Sequence, residues 1–587
     1  MKFQIPIAQL GDTLKITKQR SIAFSIARIA VFFALVSIAI VGITDLPLFL
    51  LGLIPLIGLF VYLIIRTNFY KDQELVILQL MEMEKEELLR LNRDLKNLRS
   101  GEEFADKHHP FANDLDLFGG HSLFQMINHT VSKSGAALLA DWIKAPLDRK
   151  EALARNPAVK ELAQDKAFLS LFESIGRSFI KSEKSKLPFF NWLKVPETWQ
   201  PFYYIPMVVG PVGGLVMLSL AGIGVISYSW IGLWILIGVL FLSFVFKELK
   251  RIALILPDQG DIKTYALWAE MLEQKNFHNP YLKNMLEGIV HQDYSATKAL
   301  KSLEQKTFLI QNRFNLMYLI FNMLFWLDFG ILWRLKVWKD QYGSRLSYIQ
   351  SQFDQWQALV SLASFSQQEN VSCQLDWTEA QTIIAKRIRH PLLKTTSAVP
   401  NDFQMPEQMN TVLLTGANMS GKTTFMRTLG INMVLANLGL QPFAERFQMG
   451  DFQLFTSMRN SDNLGESVSS FYAELARIRQ LLMTAESGTR VFFLMDEILK
   501  GTNTTDRIMG SEALIKQLAK ASAKGIISTH DIELAGLEES LPYLANMSFH
   551  SDIQDQEILF DYTIKKGPCP SFNAHKLMEL MGIRFEN

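Results

Sequence analysis

Two stretches without a charged side chain constrain this chain more than any other feature. Leu46 to Ile65 runs twenty residues without a charge, and Phe202 to Phe246 runs 45. A helix rises about 1.5 Å per residue, so the first stretch spans roughly 30 Å, the hydrocarbon thickness of a bilayer. Just before it, Ile29 to Ile43 is equally apolar. That run extends back to Ile22 if Arg28 snorkels toward the headgroups, leaving Thr44 and Asp45 to turn between two helices. The longer stretch suits two helices, with Ser227, Tyr228 and Ser229 as the turn. The expectation is four transmembrane helices in two hairpins, 22–65 and 202–246.

The flanks set the orientation. Lys15, Lys18 and Arg20 precede the first hairpin, Arg66 and Lys71 follow it, and Lys247, Lys250 and Arg251 follow the second, whereas neither turn carries lysine or arginine. By the positive-inside rule the soluble parts face the cytoplasm, which predicts a multi-pass protein of the cytoplasmic membrane. A cleaved signal peptide at Ile22 to Ile43 fits poorly, because a second span follows at once. A fifth apolar run, Leu316 to Trp333, contains Asn322 and Asp328. A fifth span would put the two ends of the soluble chain on opposite sides, so this run reads as a buried or membrane-surface helix.

Outside these segments the chain is folded material of several domains, 49% hydrophobic and 20% charged over 587 residues. Lysine and arginine (59) balance aspartate and glutamate (58), so any basic patch must be local. Two cysteines, Cys373 and Cys569, make neither a disulfide framework nor a four-thiolate zinc site, and point to a reducing compartment. After residues 1–21 and the first hairpin, Ile77, Met81, Glu84, Leu88, Leu91, Leu95 and Leu98 repeat at spacings of four and three within 66–103. The stripe suits either a dimer seam or an amphipathic helix packed on its own domain. Residues 104–201 and 247–382 read as helical. From 383 to 587, short β-rich runs alternate with helical patterns, the mark of a parallel sheet flanked by helices.

The chemistry sits in that last region. Thr411 to Thr415 is a buried-strand pattern running into Gly416, Ala417, Asn418, Met419, Ser420, Gly421, Lys422, Thr423 and Thr424, which open a helix. This is the strand, glycine loop and helix of a Walker A phosphate cradle. Its backbone N–H groups point at phosphate, Lys422 reaches the β- and γ-phosphates of ATP, and Thr423 offers a hydroxyl to Mg2+. Val491 to Met495 is a second apolar strand, ending in Asp496 and Glu497. Asp496 suits Mg2+, and Glu497 suits orienting the attacking water. A third strand, Gly525 to Thr529, delivers His530 to the same sheet edge, within reach of the γ-phosphate.

In order, Gly416 to Thr423, Ser469-Ser-Phe-Tyr-Ala-Glu474-Leu, Asp496-Glu-Ile-Leu-Lys-Gly501-Thr502 and Thr529-His530 resemble the ATPase domain of the MutS mismatch-repair family, an ABC-type ATPase. Upstream, His109-Pro-Phe-Ala-Asn-Asp114-Leu-Asp116-Leu-Phe118-Gly, Ser122-Leu-Phe, Gly135 through Trp142 to Pro146-Leu147, and Arg389-His390-Pro391 are similar to its core domain and to the approach to its ATPase. The resemblance implies an α/β P-loop domain of ABC type after an all-α core and lever region. It also implies ATP hydrolysis with Mg2+ in a homodimer, Ser469 of one subunit acting in trans on nucleotide held by the other, and binding of double-stranded DNA. The pattern departs from the family in three places. The hairpin and heptad helix stand where a mismatch-reading domain is expected, the second hairpin interrupts the core, and the dimerising C-terminal extension is not recognisable. Two functions follow: an ATP-gated clamp on DNA at the membrane, without mismatch specificity, or a mechanical ATPase working on its own membrane helices or a protein partner. A transporter fits less well, because the four runs hold no obvious acid or base except Arg28 near one end.

Overall fold

The computed structural model describes residues 9–44, 52–181, 186–291, 294–313, 315–459, 470–554 and 557–570. They form two compact units. The first comprises Met1–Glu84, Thr130–Gly135 and Ala167–Gln357, the second Lys85–His129, Ala136–Lys166 and Ala358–Asn587. The helical region expected over 104–201 is therefore divided between them.

The first unit is almost wholly helical. The long apolar helices are α1 (Leu10–Thr44), α2 (Leu53–Leu91), α3 (Tyr204–Gly222) and α4 (Ser229–Ile255). Among the described residues, these four are long and apolar enough to cross a membrane, α3 with its preceding turn from Pro201. The expected turn residue Asp45 and the run Leu46 to Leu51 lie outside the described residues. α1 and α2 meet through Phe24 stacked on Tyr70, centroids 5.3 Å apart, and Phe32 against Phe60.

The fifth apolar run is not one helix. It divides into α5 (Leu316–Phe325) and α6 (Leu327–Leu346), bent 91° from one another. The break is at Trp326, whose φ of 51° lies in the left-handed region. Its cause is polar: Asn322 Oδ1 accepts the backbone N–H of Asp328 at 2.9 Å, while the buried Asp328 carboxylate accepts from Arg313 (2.7 Å) and Tyr318 (2.6 Å). The Asn322 bond satisfies a first-turn N–H inside an apolar run, and the other two neutralise and pair the buried carboxylate beside it. Trp326 then stacks on Trp234 and Phe241 of α4. A Cβ on Gly238 would lie 2.3 Å from the Trp326 indole nitrogen, and one on Gly214 2.5 Å from the Leu324 carbonyl oxygen, so only glycine admits this approach.

The heptad expectation also needs correction. α2 stops at Leu91, so Leu95 and Leu98 are buried but not helical. Along the helix the buried line is Val76, Ile77, Leu80 and Met83, whereas Leu88 and Leu91 are exposed. Termination follows from Arg93, at φ 57°, whose guanidinium forks onto Glu369 at 2.7 and 2.8 Å and donates to Pro391 O. A bidentate pair this buried holds the chain in a conformation that cannot continue a helix.

In the second unit, β1 (Gln374–Trp377), β2 (Ile383–Ile388), β3 (Asn401–Met405) and β5 (Arg446–Met449) form a four-stranded sheet in the order β1-β5-β2-β3. The α/β part thus begins before residue 383, because Gln374–Trp377 pairs with β5 in parallel. The second sheet contains β4 (Thr411–Gly416), β6 (Gln453–Ser457), β7 (Val491–Asp496), β8 (Lys524–Thr529), β9 (Leu544–Gln554) and β10 (Glu557–Lys566), in the order β10-β9-β4-β8-β7-β6. All neighbours are parallel except β9 and β10. Every residue of β4 is buried, as expected of a parallel strand covered on both faces. Leu413, Phe493, Met495 and Ile527 face α8 (Ser470–Glu486) and α9 (Thr504–Lys520), while Leu494 on the opposite face packs at Gly430 of α7 (Lys422–Asn437). In the middle of this sheet β4, β8 and β7 are adjacent, so their C-terminal ends open on one edge.

Candidate nucleotide-binding site

The loop from β4 into α7 is short, Ala417 to Gly421, and reverses the chain with positive φ at Met419 (67°) and Gly421 (108°). Gly421 is the N-cap of α7, and a Cβ there would meet the Tyr562 ring at 3.2 Å. Asn418, Met419 and Thr424 are exposed, whereas Ser420 is buried and its hydroxyl has no partner among the described residues. Lys422 is 4% exposed and folds back on its own loop, donating to Gly416 O at 2.7 Å and Ala417 O at 3.0 Å. Burial lowers its pKa, while Glu497 and Asp496 pull it back up. The result is an ammonium held by neutral carbonyls, a partnerless hydroxyl and a helix N-terminus converging on one concavity, a combination suited to an anionic phosphate.

Beside it, Thr423 Oγ1 donates to Asp496 Oδ2 at 2.6 Å, and Ser528 Oγ donates to the other oxygen of Asp496. Register explains the second bond, since Ser528 on β8 is the direct neighbour of Asp496 on β7. The pair Thr423 and Asp496 offers the hard oxygen donors that Mg2+ takes alongside phosphate and water.

Glu497 has φ 51°, and its backbone N–H donates to Ser528 O at 3.0 Å. Its carboxylate is engaged on both sides, by His530 Nε2 at 2.5 Å from Oε1 and by Lys500 Nζ at 2.7 Å from Oε2. The hydrogen bond from His530, with Lys500 adding to it against the cost of burial, pulls the Glu497 carboxyl down to about 2. His530 therefore reaches the expected edge, but its partner there is Glu497.

Ser469 lies outside the described residues. α8 begins one residue later, and its first turn clamps the loop after β7. Glu474 accepts the backbone N–H of Leu499, itself at φ 59°, and a Cβ on Gly501 would lie 2.5 Å from Phe471 Cβ. Burial raises the Glu474 pKa, the Leu499 N–H opposing.

Sequence reasoning assigned no role to Ser528, Lys500, Glu474 or the forked pair Arg507–Asp531 at 2.8 Å. Lys500 and Glu474 stand inside the quoted motifs and could have been singled out by charge. Ser528 needed the strand register. A second cluster adjoins the cradle helix: Asp114 accepts from Thr456 Oγ1 (2.7 Å) and from the backbone N–H groups of Met458 and Arg459 (3.1 Å each). Asp116 takes Arg427 of α7 at 3.1 Å and also Arg459.

Residues 412–583 match MutS domain V. The chain is 31% identical over 256 residues to the DNA mismatch repair protein MutS of Bacillus cytotoxicus, covering 42% of this chain and 28% of that protein. It is 32% identical over 245 residues to the protein of the same name from Oceanobacillus iheyensis, covering 40% and 28%. The chain thus matches less than a third of the length of these curated relatives. The strand from Val412 on, the cradle and the carboxylate pair fall inside the matched residues, and in this α/β region the chain carries a MutS domain V and is homologous to MutS proteins.

Proposed function

We propose that this chain is an ATPase that binds and hydrolyses ATP with Mg2+ at a dimer interface, is anchored in a membrane by four helices, and closes on double-stranded DNA as a clamp without mismatch specificity. The observation that carries the reading is the adjoining set of Lys422 in its loop, Thr423 bonded to Asp496, and Glu497 beside them. Lys422 exchanges its loop carbonyls for phosphate oxygens, and the cradle N–H groups orient the triphosphate. Thr423 and Asp496 would hold Mg2+, which when bound neutralises charge on the phosphates. Glu497 orients water once His530 or Lys500 moves aside, and a displaced His530 N–H then donates to a γ-phosphate oxygen instead. Ser469 of the second subunit completes the site in trans.

DNA enters from the homology to mismatch repair proteins. With a net charge of +1, contact must run through local lysine and arginine to phosphates, which position a protein without reading bases. The test is duplex binding by the detergent-solubilised full chain over a salt series. Each phosphate neutralised should add about −0.9 to the slope of log K against log salt, with less than about a threefold preference for mismatched duplex. Strong mismatch preference would refute the non-specific clamp. No binding at low salt, with an active ATPase, would favour the second reading, a mechanical ATPase acting on its own membrane helices, which the two apolar helix pairs support.

A further inference from the structure

Where the charge-free run of α4 ends, one face of the helix changes character abruptly. Leu240, Phe244, Lys247 and Arg251 follow at spacings of four, three and four, so they form a single stripe, apolar above and cationic below. Leu240 and Phe244 are 63% and 57% exposed. The cationic end of the stripe opens on a cavity of about 290 Å3 between α4, the segment 197–203 and α6.

Its charged lining is Lys247, Arg251 and Lys336 against Glu197 and Glu248, so the wall is net positive. The carboxylates are already engaged: Glu248 with Arg251, and Glu197 with Lys339 at 3.0 Å and Arg251 at 3.5 Å. Lys336 pairs with Asp340. Lys247 is exposed and makes no ion pair among the described residues. The remaining wall is aromatic and aliphatic, with Thr198 and Gln200 among it. Trp199 packs edge-on to Tyr203 and Trp333 at 5.2 and 5.1 Å, and its buried Nε1 has no partner among the described residues. Cations, tryptophan and tyrosine below an exposed apolar strip are the composition of a membrane–water boundary.

We propose that this stripe and cavity seat one glycerophospholipid, its phosphate diester against Lys247 and Arg251 and its acyl chains along Leu240 and Phe244. The ligand must be amphiphilic, because the anion-binding wall and the exposed apolar strip are continuous on one helix face. A free phosphate would use only the lower half. The proposal rests on the reading that α4 lies in a bilayer.

The test uses the full chain, delipidated in detergent, with native mass spectrometry after adding phosphatidylglycerol, diacylglycerol of the same chains, or phosphatidylglycerol with excess inorganic phosphate. Wild type should retain one phosphatidylglycerol at least about fivefold better than diacylglycerol, since only the former offers a phosphate to the cations. Lys247→Gln and the double change with Arg251→Gln should remove that preference, and Lys250→Gln, which does not line the cavity, should keep it. The single Lys247→Gln change breaks no ion pair, so it reads the site without disturbing the fold. Equal retention of diacylglycerol, or an unchanged preference in both variants, would overturn the site. Displacement by millimolar inorganic phosphate would show a free-anion site instead and overturn the lipid assignment. Alkaline extraction of native membranes separates the two readings: release of the chain defeats membrane anchoring itself, whereas retention without lipid preference defeats only this proposal.

Discussion

His530 Nε2 lies 2.5 Å from Glu497 Oε1, so the carboxylate expected to face water is already a hydrogen-bond acceptor for the imidazole at the end of the neighbouring strand. With Lys500 on its other oxygen, Glu497 stays ionised far below neutral pH and is a weak base. In the proposed ATPase its contribution would therefore be to orient water and stabilise charge more than to remove a proton. Glu497→Gln keeps the shape but loses the charge. It should bind ATP within about threefold of wild type and hydrolyse it at least about a hundredfold more slowly. Equal turnover by the two proteins would take Glu497 out of this role.

In the proposed site, removing Lys422 would delete the charge-assisted phosphate contact. Lys422→Ala should weaken nucleotide binding by about tenfold or more, read by fluorescent ATP titration. If Ser469 acts across a dimer, mixing Lys422→Ala with Ser469→Arg subunits should rebuild one competent site per heterodimer. Heterodimers that form yet show no recovered hydrolysis would argue against a shared site.

Stability should also depend on pH through His390. Burial, with Arg427 and His121 adding to it, pushes this imidazole down to about 4 from an ordinary 6.5, and its Nδ1 accepts the Leu392 N–H. The folded pKa is the lower one, so the contribution is complete above about 6.5 and drains as pH falls through 4. At pH 5 the loss is about 2 kcal/mol at most. His390→Asn keeps an acceptor without titrating and should show a shallower fall in melting temperature from pH 7 to pH 5. An unchanged fall would assign the acid sensitivity elsewhere.

Asp114 supports three donors from the segment Thr456–Arg459. Asp114→Ala strands the buried Thr456 hydroxyl and removes the acceptor of two less buried N–H groups, which should destabilise the protein by about 1–3 kcal/mol, measured by chemical denaturation. Asp114→Asn, which retains one acceptor oxygen, should lose less. Equal losses would show that the site needs the charge more than the geometry.

Topology is checked by protease added to the outside of sealed spheroplasts. With four spans and cationic flanks inside, residues 383–587 should survive until the cells are lysed. Cleavage of that region in intact spheroplasts would sink the arrangement.

What the sequence disclosed depended on how far apart the cooperating residues stand in the chain. The cradle from Gly416 to Thr424 is contiguous, so its loop, helix start and lysine could be read directly. The apolar helices were equally plain, because hydrocarbon thickness fixes a length. The bond from Ser528 to Asp496 was hidden, since it exists only because β8 lies beside β7 in one particular register. The end of α2 at Leu91 was hidden for a related reason: Arg93 is held by Glu369, 276 residues away, and tertiary pairing there overrides a heptad pattern that continues to Leu98. The break at Trp326 was half visible. Asn322 and Asp328 marked the run as polar, but only the structure shows that Asn322 accepts a first-turn N–H of a new helix while the Asp328 carboxylate takes Arg313 and Tyr318.

The folded-back Lys422 changes what an arriving anion gains. An ammonium pointing into solvent would give up only water, whereas this one gives up two carbonyls at 2.7 and 3.0 Å. Binding is then a swap of one acceptor set for another, and the net gain is the difference between a charged and a neutral acceptor. In the proposed ATPase the same swap would run in reverse on product release: the carbonyls of Gly416 and Ala417 would recapture the lysine, so that release would leave no bare charge behind.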